Sequence, residues 1–385
     1  MVTDAQRLMN ILGAALQGRC LAEDPAYTGE VLSRLAEKAS RHHLLPLFFE
    51  AVHSLPQAKS LPPHMGAAVR QQVMGQALRT QQLLKLYRQL ESRNLRPLIL
   101  KGFVCRSLYP HGDHRPSSDE DLWITPDAYQ DCCQALEELG YVTQDPEDAF
   151  ERTYRSPEGG LRIELHRQLF DPEAPAYGSW NSFFENAHRR QETLSGLPTL
   201  CPTDHMLYLL LHALKHFLHS GFGLRQVCDI VLYAKTYGQR IDWSYIEKIL
   251  ESLCADGFAA AVFSLGQQFW NIPAPLIRQV DPLPLLEDLL DAGIYGGSSL
   301  ARKRSSNITL SAAAGSGAGG WLQALFPPIS SLSSRFPYLR KHPWLLPWAW
   351  LLRILTYKNN RSSAQSLQIG AQRLDLFRLY GIIEK

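Results

Sequence analysis

Ser118-Asp119-Glu120-Asp121-Leu122-Trp123-Ile124, followed by Thr125-Pro126, is the stretch on which the fold turns. Taken as a strand, it places residues two apart on one face, so Asp119 and Asp121 present two carboxylates side by side while Leu122 and Ile124 pack inward. Paired carboxylates suit a hard divalent cation, Mg²⁺ above all, which commonly combines one or two carboxylates with substrate phosphates. Acid pairs are also common at strand ends, so the motif needs support from its surroundings. Upstream, Arg96 to Leu100 (RPLIL) is a second strand-length apolar run, then come Lys101-Gly102, a helix-like FVCRSLYP and a polar loop, HGDHRPSS. Downstream, Thr125-Pro126 reads as a helix N-cap with proline at the first position, and the helical pattern runs to Gly140. Phe150 to Arg155 and Leu161 to Leu165, joined by SPEGG, read as an antiparallel hairpin. The order strand, helix, strand, helix, hairpin defines a small α/β unit at 96–170.

The hairpin adds chemistry. In Arg162-Ile163-Glu164-Leu165-His166, period 2 puts Arg162, Glu164 and His166 on one face and Ile163 and Leu165 on the other. Beside the Asp119 strand, Glu164 becomes a third carboxylate, and three acids can hold two metal ions about 4 Å apart, as in-line phosphoryl transfer requires. A surface hairpin of alternating polarity is the plain alternative.

Outside this unit the pattern is helical. Residues 1–95 form a helical N-terminal region, with helices expected over Gly29 to Ala51 and from Met65 to Arg93, the latter started by Pro62-Pro63. Residues 171–295 carry helices at Leu207 to Leu218, Leu224 to Tyr237, Tyr245 to Leu253 and Ala259 to Trp270. Residues 296–385 are basic and aromatic-rich, and SAAAGSGAGG within them reads as a flexible linker. The global charge of +2 (39 Lys+Arg, 37 Asp+Glu) conceals a split. The last region holds twelve Lys/Arg against two acids, a net of +10, and leaves −8 for residues 1–295. Such a tail suits nucleic acid, another anionic partner or a membrane surface, or else a packed helix whose tryptophans fill a core while arginines reach outward. Seven cysteines without a C-x-x-C pair read as small buried hydrophobes in a reducing compartment. There is no secretory signal pattern, and PWLLPWAWLL (343–352) is too short to span a bilayer and reads as a buried aromatic helix, so a cytoplasmic protein is expected. His212 and His216 share a helix face, but without the glutamate of H-E-x-x-H they read as packing against the α/β unit and hydrogen-bonding near a substrate, in a network with Lys215, Arg225 and Asp229. Phosphate-loop, nucleophile-elbow and dinucleotide fingerprints are missing.

The series Leu100-Lys101-Gly102, Leu108-Tyr109-Pro110, Arg115, Asp119-x-Asp121 and Glu164-Leu165-His166 resembles the nucleotidyltransferases of the polymerase-β superfamily, and more narrowly a bacterial group known only as uncharacterised nucleotidyltransferases. His43-Leu44-Leu45-Pro46, the His212 to His216 helix, Leu224-Arg225 through Asp229 and Pro343 to Arg353 extend the likeness over most of the chain. The resemblance implies an α+β fold, a small mixed-sheet core embedded in a mostly helical chain. It implies Asp119 and Asp121 as ligands of Mg²⁺, two ions being expected, with Glu164 as third ligand or base. Gly102 would open a turn that admits nucleotide phosphates, Phe103 would begin the amides facing them, and Lys101 or Arg115 would neutralise phosphate charge. His166, His212, His216, Arg225 and Asp229 would face the acceptor. The implied activity is transfer of a nucleoside monophosphate from ATP or another NTP to a hydroxyl or phosphate of a small molecule or peptide. The alternative is a catalytically altered member that binds nucleic acid or a protein partner. Two positions depart from the pattern. Phe103 replaces the usual small residue, and Glu120 replaces an apolar one, so that an inward charge must lie at a strand edge or be paired.

Overall fold

The computed structural model describes residues 3–276, 278–292, 300–314, 337–340, 342–350 and 361–383. Four short strands, β1 (Leu98–Ile99), β2 (Glu120–Trp123), β3 (Glu151–Arg155) and β4 (Arg162–His166), form one sheet in the order β1-β2-β4-β3. β1 runs antiparallel to β2, β2 parallel to β4, and β4 antiparallel to β3, so the sheet is mixed. Helix α5 (Lys101–Arg106) follows β1 and α6 (Pro126–Glu138) follows β2. Thr125 stands at the N-cap of α6 with Pro126 behind it, yet its side chain makes no capping bond. Gly140 ends the helix with φ +84°, a left-handed turn that glycine enters without a Cβ penalty.

One face of the sheet is apolar because every second residue is. Ile99, Leu122, Ile124, Tyr154, Ile163 and Leu165 pack on Leu83, Leu86, Tyr87 and Leu90 of α4 (Pro63–Glu91) and on Tyr129, Cys132, Cys133 and Leu136 of α6. The opposite face looks toward α7 (Pro202–His219) and α8 (Leu224–Tyr237), across a second and larger core. That core also takes in α1 (Asp4–Leu16), α2 (Gly29–Arg41), α3 (Leu45–Val52), α9 (Trp243–Ser252), α10 (Asp256–Trp270) and α11 (Leu283–Ala292). A two-stranded ribbon, β5 (Glu192–Leu194) and β6 (Leu197–Thr199), abuts β1, where Thr199 Oγ1 donates to the Ile99 carbonyl at 2.6 Å.

Several expectations need correction. Gly29 to Ala51 is two helices. His43 adopts φ +55°, the Leu44 amide donates back to Ala39 O, and Pro46 in the first turn of α3 cannot continue α2. The linker assigned to SAAAGSGAGG fails at its start, because residues 311–313 complete α12 (Leu300–Ala313), whereas residues 315–320 lie outside the described residues. PWLLPWAWLL is no buried aromatic helix over residues 343–350: Trp344 and Trp348 are 74% and 55% exposed, and residues 351–352 are outside the described set. All seven cysteines are free, but only Cys105, Cys132, Cys133 and Cys228 are buried; Cys20 and Cys254 are exposed.

The C-terminal region is also less of a free basic arm than its charge indicates. α12 packs on α7 and on α13 (Arg361–Leu379). Arg302 and Arg373 are buried; Arg302 Nη2 bonds Asp288 Oδ1 at 2.7 Å and Arg302 Nε donates to Ser220 O at 2.6 Å. Arg373 donates to the carbonyls of His219 and Phe217, and Thr309 Oγ1 to Leu218 O. These groups satisfy the carbonyls that the last turn of α7 leaves open. No helix among the described residues is long and apolar enough to cross a membrane.

Candidate active site

Register decides what meets in the cleft. In the parallel pair β2/β4 Asp121 stands opposite Glu164 and Trp123 opposite His166, and across β4 the hairpin places Glu151 opposite His166. The side chains of Asp121, Glu164, His166 and Glu151 all leave the face away from the α4/α6 core and line one cavity of about 410 Å³. Helices α7 and α8 close its other side with Tyr208, His212, Lys215, His216, Arg225 and Asp229.

Asp121 lies at the centre, fully buried. Its Oδ1 accepts from Lys101 Nζ at 2.9 Å and lies 3.1 Å from His166 Nε2, whereas Oδ2 has no hydrogen-bond partner. Burial alone would raise the pKa of this carboxyl; the Lys101 ammonium and the His166 bond overcome it and hold Asp121 far below the usual carboxylate range. Burial likewise opposes the Lys101 charge, yet Asp121, with Tyr208, Asp119 and Glu164 behind it, lifts the lysine well above its ordinary value. Lys101 Nζ also reaches His212 Nε2 at 2.8 Å, which makes that nitrogen the acceptor and His212 the neutral Nδ1–H tautomer. Glu164 is pushed up to about 8, first by burial and then by Asp121 and Asp119. Arg162 donates to Glu164 Oε1 at 3.0 Å, but its half-exposed guanidinium is too well solvated to offset them. Glu151 Oε2 lies 3.3 Å from His166 Nδ1.

Glu120 points to the other side of β2 and is buried, and its charge is paired. Arg106 Nη1 of α5 donates to Glu120 Oε1 at 2.6 Å and to Ser117 Oγ at 2.8 Å, while the Ser117 amide donates to Gln76 Oε1 of α4 at 2.8 Å. Glu120 Oε2 rests against Gly102, where an added Cβ would come within 2.4 Å of it. The lack of a side chain at Gly102 therefore lets α5 lie against the carboxylate strand.

Of the residues singled out in the sequence, Asp121, Glu164, His166, Lys101, Gly102, His212, His216, Arg225 and Asp229 meet around this cavity. Asp119, one residue before β2, lines it too, but the three residues whose ligand atoms lie within 4.8 Å of one another are Asp121, Glu164 and His166. Arg115 also lines the cavity, with its charge engaged: Nε donates to Asp229 Oδ1 at 3.0 Å, and Tyr109 OH donates to the same oxygen at 2.7 Å. Arg225 Nη1 donates to Pro116 O at 2.5 Å. Phe103 is turned away, packed on the α4/α6 core with Arg106 over its ring. Glu151 and Arg106 were missed in the sequence. Counting back along the hairpin from the Arg155/Arg162 pair puts Glu151 opposite His166, a signal the sequence does contain. Arg106 has no such signal beyond the need of Glu120 for a partner.

Two carboxylates and an imidazole around an unpartnered, buried carboxylate oxygen form a donor set that fits a divalent cation. A family model described as uncharacterised nucleotidyltransferase matches residues 30–271, well over half of the chain. No curated protein and no solved structure matches it.

Proposed function

We propose, on the premise that this chain belongs to the uncharacterised nucleotidyltransferase family, that it moves a nucleoside monophosphate from an NTP to a hydroxyl or phosphate of a small-molecule or peptide acceptor. One observation carries the reading. Asp121, buried and with Oδ2 unpartnered, faces Glu164 across the parallel strands at the base of a cavity. In the reaction the acceptor oxygen bonds to the α-phosphorus, the bond from that phosphorus to the bridging oxygen breaks, and pyrophosphate leaves. Mg²⁺ held by Asp121, Glu164 and His166, with Asp119 nearby, would screen the phosphate charge and polarise the phosphoryl oxygens. Lys101 supplies a fixed positive charge beside the reacting centre, and Asp121 keeps it protonated. Glu164, beside Asp121 across the parallel strands, serves either as the third ligand of the metal or as the base that takes the proton of the acceptor. Neutral His212 orients Lys101 through its Nε2 acceptor. Seven free thiols fit a cytoplasmic setting.

Calorimetry with ATP, GTP, CTP and UTP, with and without Mg²⁺, tests this. Binding of at least one nucleotide only in the presence of the metal, and its loss in Asp121→Asn, is the expected result. No binding of any nucleotide would instead support a binding or regulatory protein built on the same fold.

A further inference from the structure

The cations around the cavity are not equivalent. Lys101 is matched by Asp121, Arg115 by Asp229, Arg162 by Glu164, and Arg225 donates to the Pro116 carbonyl. Lys215, on α7, lines the same cavity and makes no hydrogen bond or ion pair with any described residue. One turn around it stand His212 and His216, both held neutral by burial and by the neighbouring ammonium groups, so neither can supply a counter-charge. The carboxylates Glu151, Asp121 and Glu164 act on Lys215 only through space, and burial with the repulsion of Lys101 outweighs them and depresses its pKa. An ammonium in a cleft with nothing to bond is costly, and an anion that reached it would recover that cost. The helix that carries it is held at its C-terminal end by Arg302, Thr309 and Arg373, so the ammonium is presented from a fixed wall.

We propose that Lys215 is the phosphate-binding residue of this cavity, receiving a phosphate group of the ligand on the helix wall across from the Asp121 carboxylate. This deepens the nucleotidyltransferase reading and rests on it. The phosphate can belong to the triphosphate tail of the donor or to a phosphorylated acceptor.

The test uses the whole chain and three probes, each with Mg²⁺: inorganic tripolyphosphate, inorganic orthophosphate and ATP, titrated into wild type, Lys215→Met and Lys215→Arg. Matching thermal midpoints establish that the variants are folded. Lys215→Met weakens tripolyphosphate binding by about ten- to a hundred-fold, and Lys215→Arg, which keeps the charge, stays within about three-fold of wild type. A lysine that only balances the carboxylates at a distance would leave phosphate affinity unchanged. Loss confined to orthophosphate supports the site and assigns it to a phosphorylated acceptor. Equal affinity of wild type and Lys215→Met for both inorganic anions overturns the proposal, as does failure of wild type to bind either. If tripolyphosphate binds through Lys215 while ATP does not bind, the phosphate site stands and the nucleotidyltransferase reading falls.

Discussion

The two walls of the cavity hold their charges in opposite ways. On the sheet wall the central carboxylates meet cations: Asp121 meets Lys101, Glu164 meets Arg162, and behind them Glu120 meets Arg106. On the helix wall the imidazoles of His212 and His216 are kept uncharged by burial, and the Lys215 ammonium has no partner among the described residues. Strands deliver side chains by register, so a carboxylate and its neighbour two residues on, or directly across, arrive at fixed spacings. A helix delivers them at positions i, i+3 and i+4, which is why residues 212, 215 and 216 arrive as a cluster. The difference teaches that the sheet wall balances most of its charge internally and leaves one carboxylate oxygen open to a cation, whereas the helix wall leaves an ammonium open to an anion.

Breaking the sheet wall at its centre has the largest effect. Asp121→Asn leaves Lys101 and His166 facing an amide, and metal-dependent pyrophosphate release from the preferred NTP should fall at least about a thousand-fold with the circular-dichroism spectrum unchanged. Removing the support behind the wall acts on stability instead. Arg106→Met strands the buried Glu120 charge and should cost about 3–5 kcal/mol in urea unfolding, while the double variant Arg106→Met/Glu120→Leu recovers most of it. Recovery would mark the pair as packing around a charge; failure to recover would give the pair a structural role beyond neutralisation.

A pH series sharpens the comparison because Glu164 on one wall and His216 on the other respond with opposite sign. Glu164 has a folded pKa of about 8, above its ordinary 4.5, so its contribution is full below pH 4.5 and is lost as pH rises through 8. Glu164→Gln should therefore stabilise the metal-free protein on the order of 2 kcal/mol at pH 8.5 and change little at pH 4. His216 has a folded pKa well below its ordinary 6.5, so its contribution is present above pH 6.5 and is lost as pH falls. His216→Gln should flatten the acid limb of a urea-midpoint profile between pH 6.5 and 5. The smallest effect lies outside both walls: Trp344→Ser, at a 74% exposed position, should shift stability by less than about 0.5 kcal/mol.

The sheet wall could be read from the chain because its information is local. RIELH carries period-2 alternation, DEDLWI sets its aspartates two apart, SPEGG marks the turn of the hairpin, and the β2/β4 pairing follows once both strands face one core. The helix wall was legible as helices, with α8 expected over Leu224 to Tyr237 and found there. Its partnerships were not. That Arg115 would be taken by Asp229, 114 residues away, or that Lys101 would meet His212, 111 residues away, depends on tertiary packing that no periodicity encodes. The break at His43 is hidden in the sequence for a related reason. A left-handed turn is ordinarily signalled by glycine, and here a histidine accepts it to place Leu44 and Leu45 in the core. Burial of Arg302 and Arg373 was hidden by composition, since a count of charges does not say which of them face inward.

The seating of α7 has a consequence for biosynthesis. All cavity-lining residues have left the ribosome soon after Ile230. The groups that close the end of α7 stand between 82 and 156 residues from the carbonyls they bind, on α12 and α13. At about 5–20 residues per second the gap amounts to several seconds of translation. During that interval a nascent chain holds every residue of the cavity while the carbonyls at the end of α7 still await the partners that α12 and α13 bring.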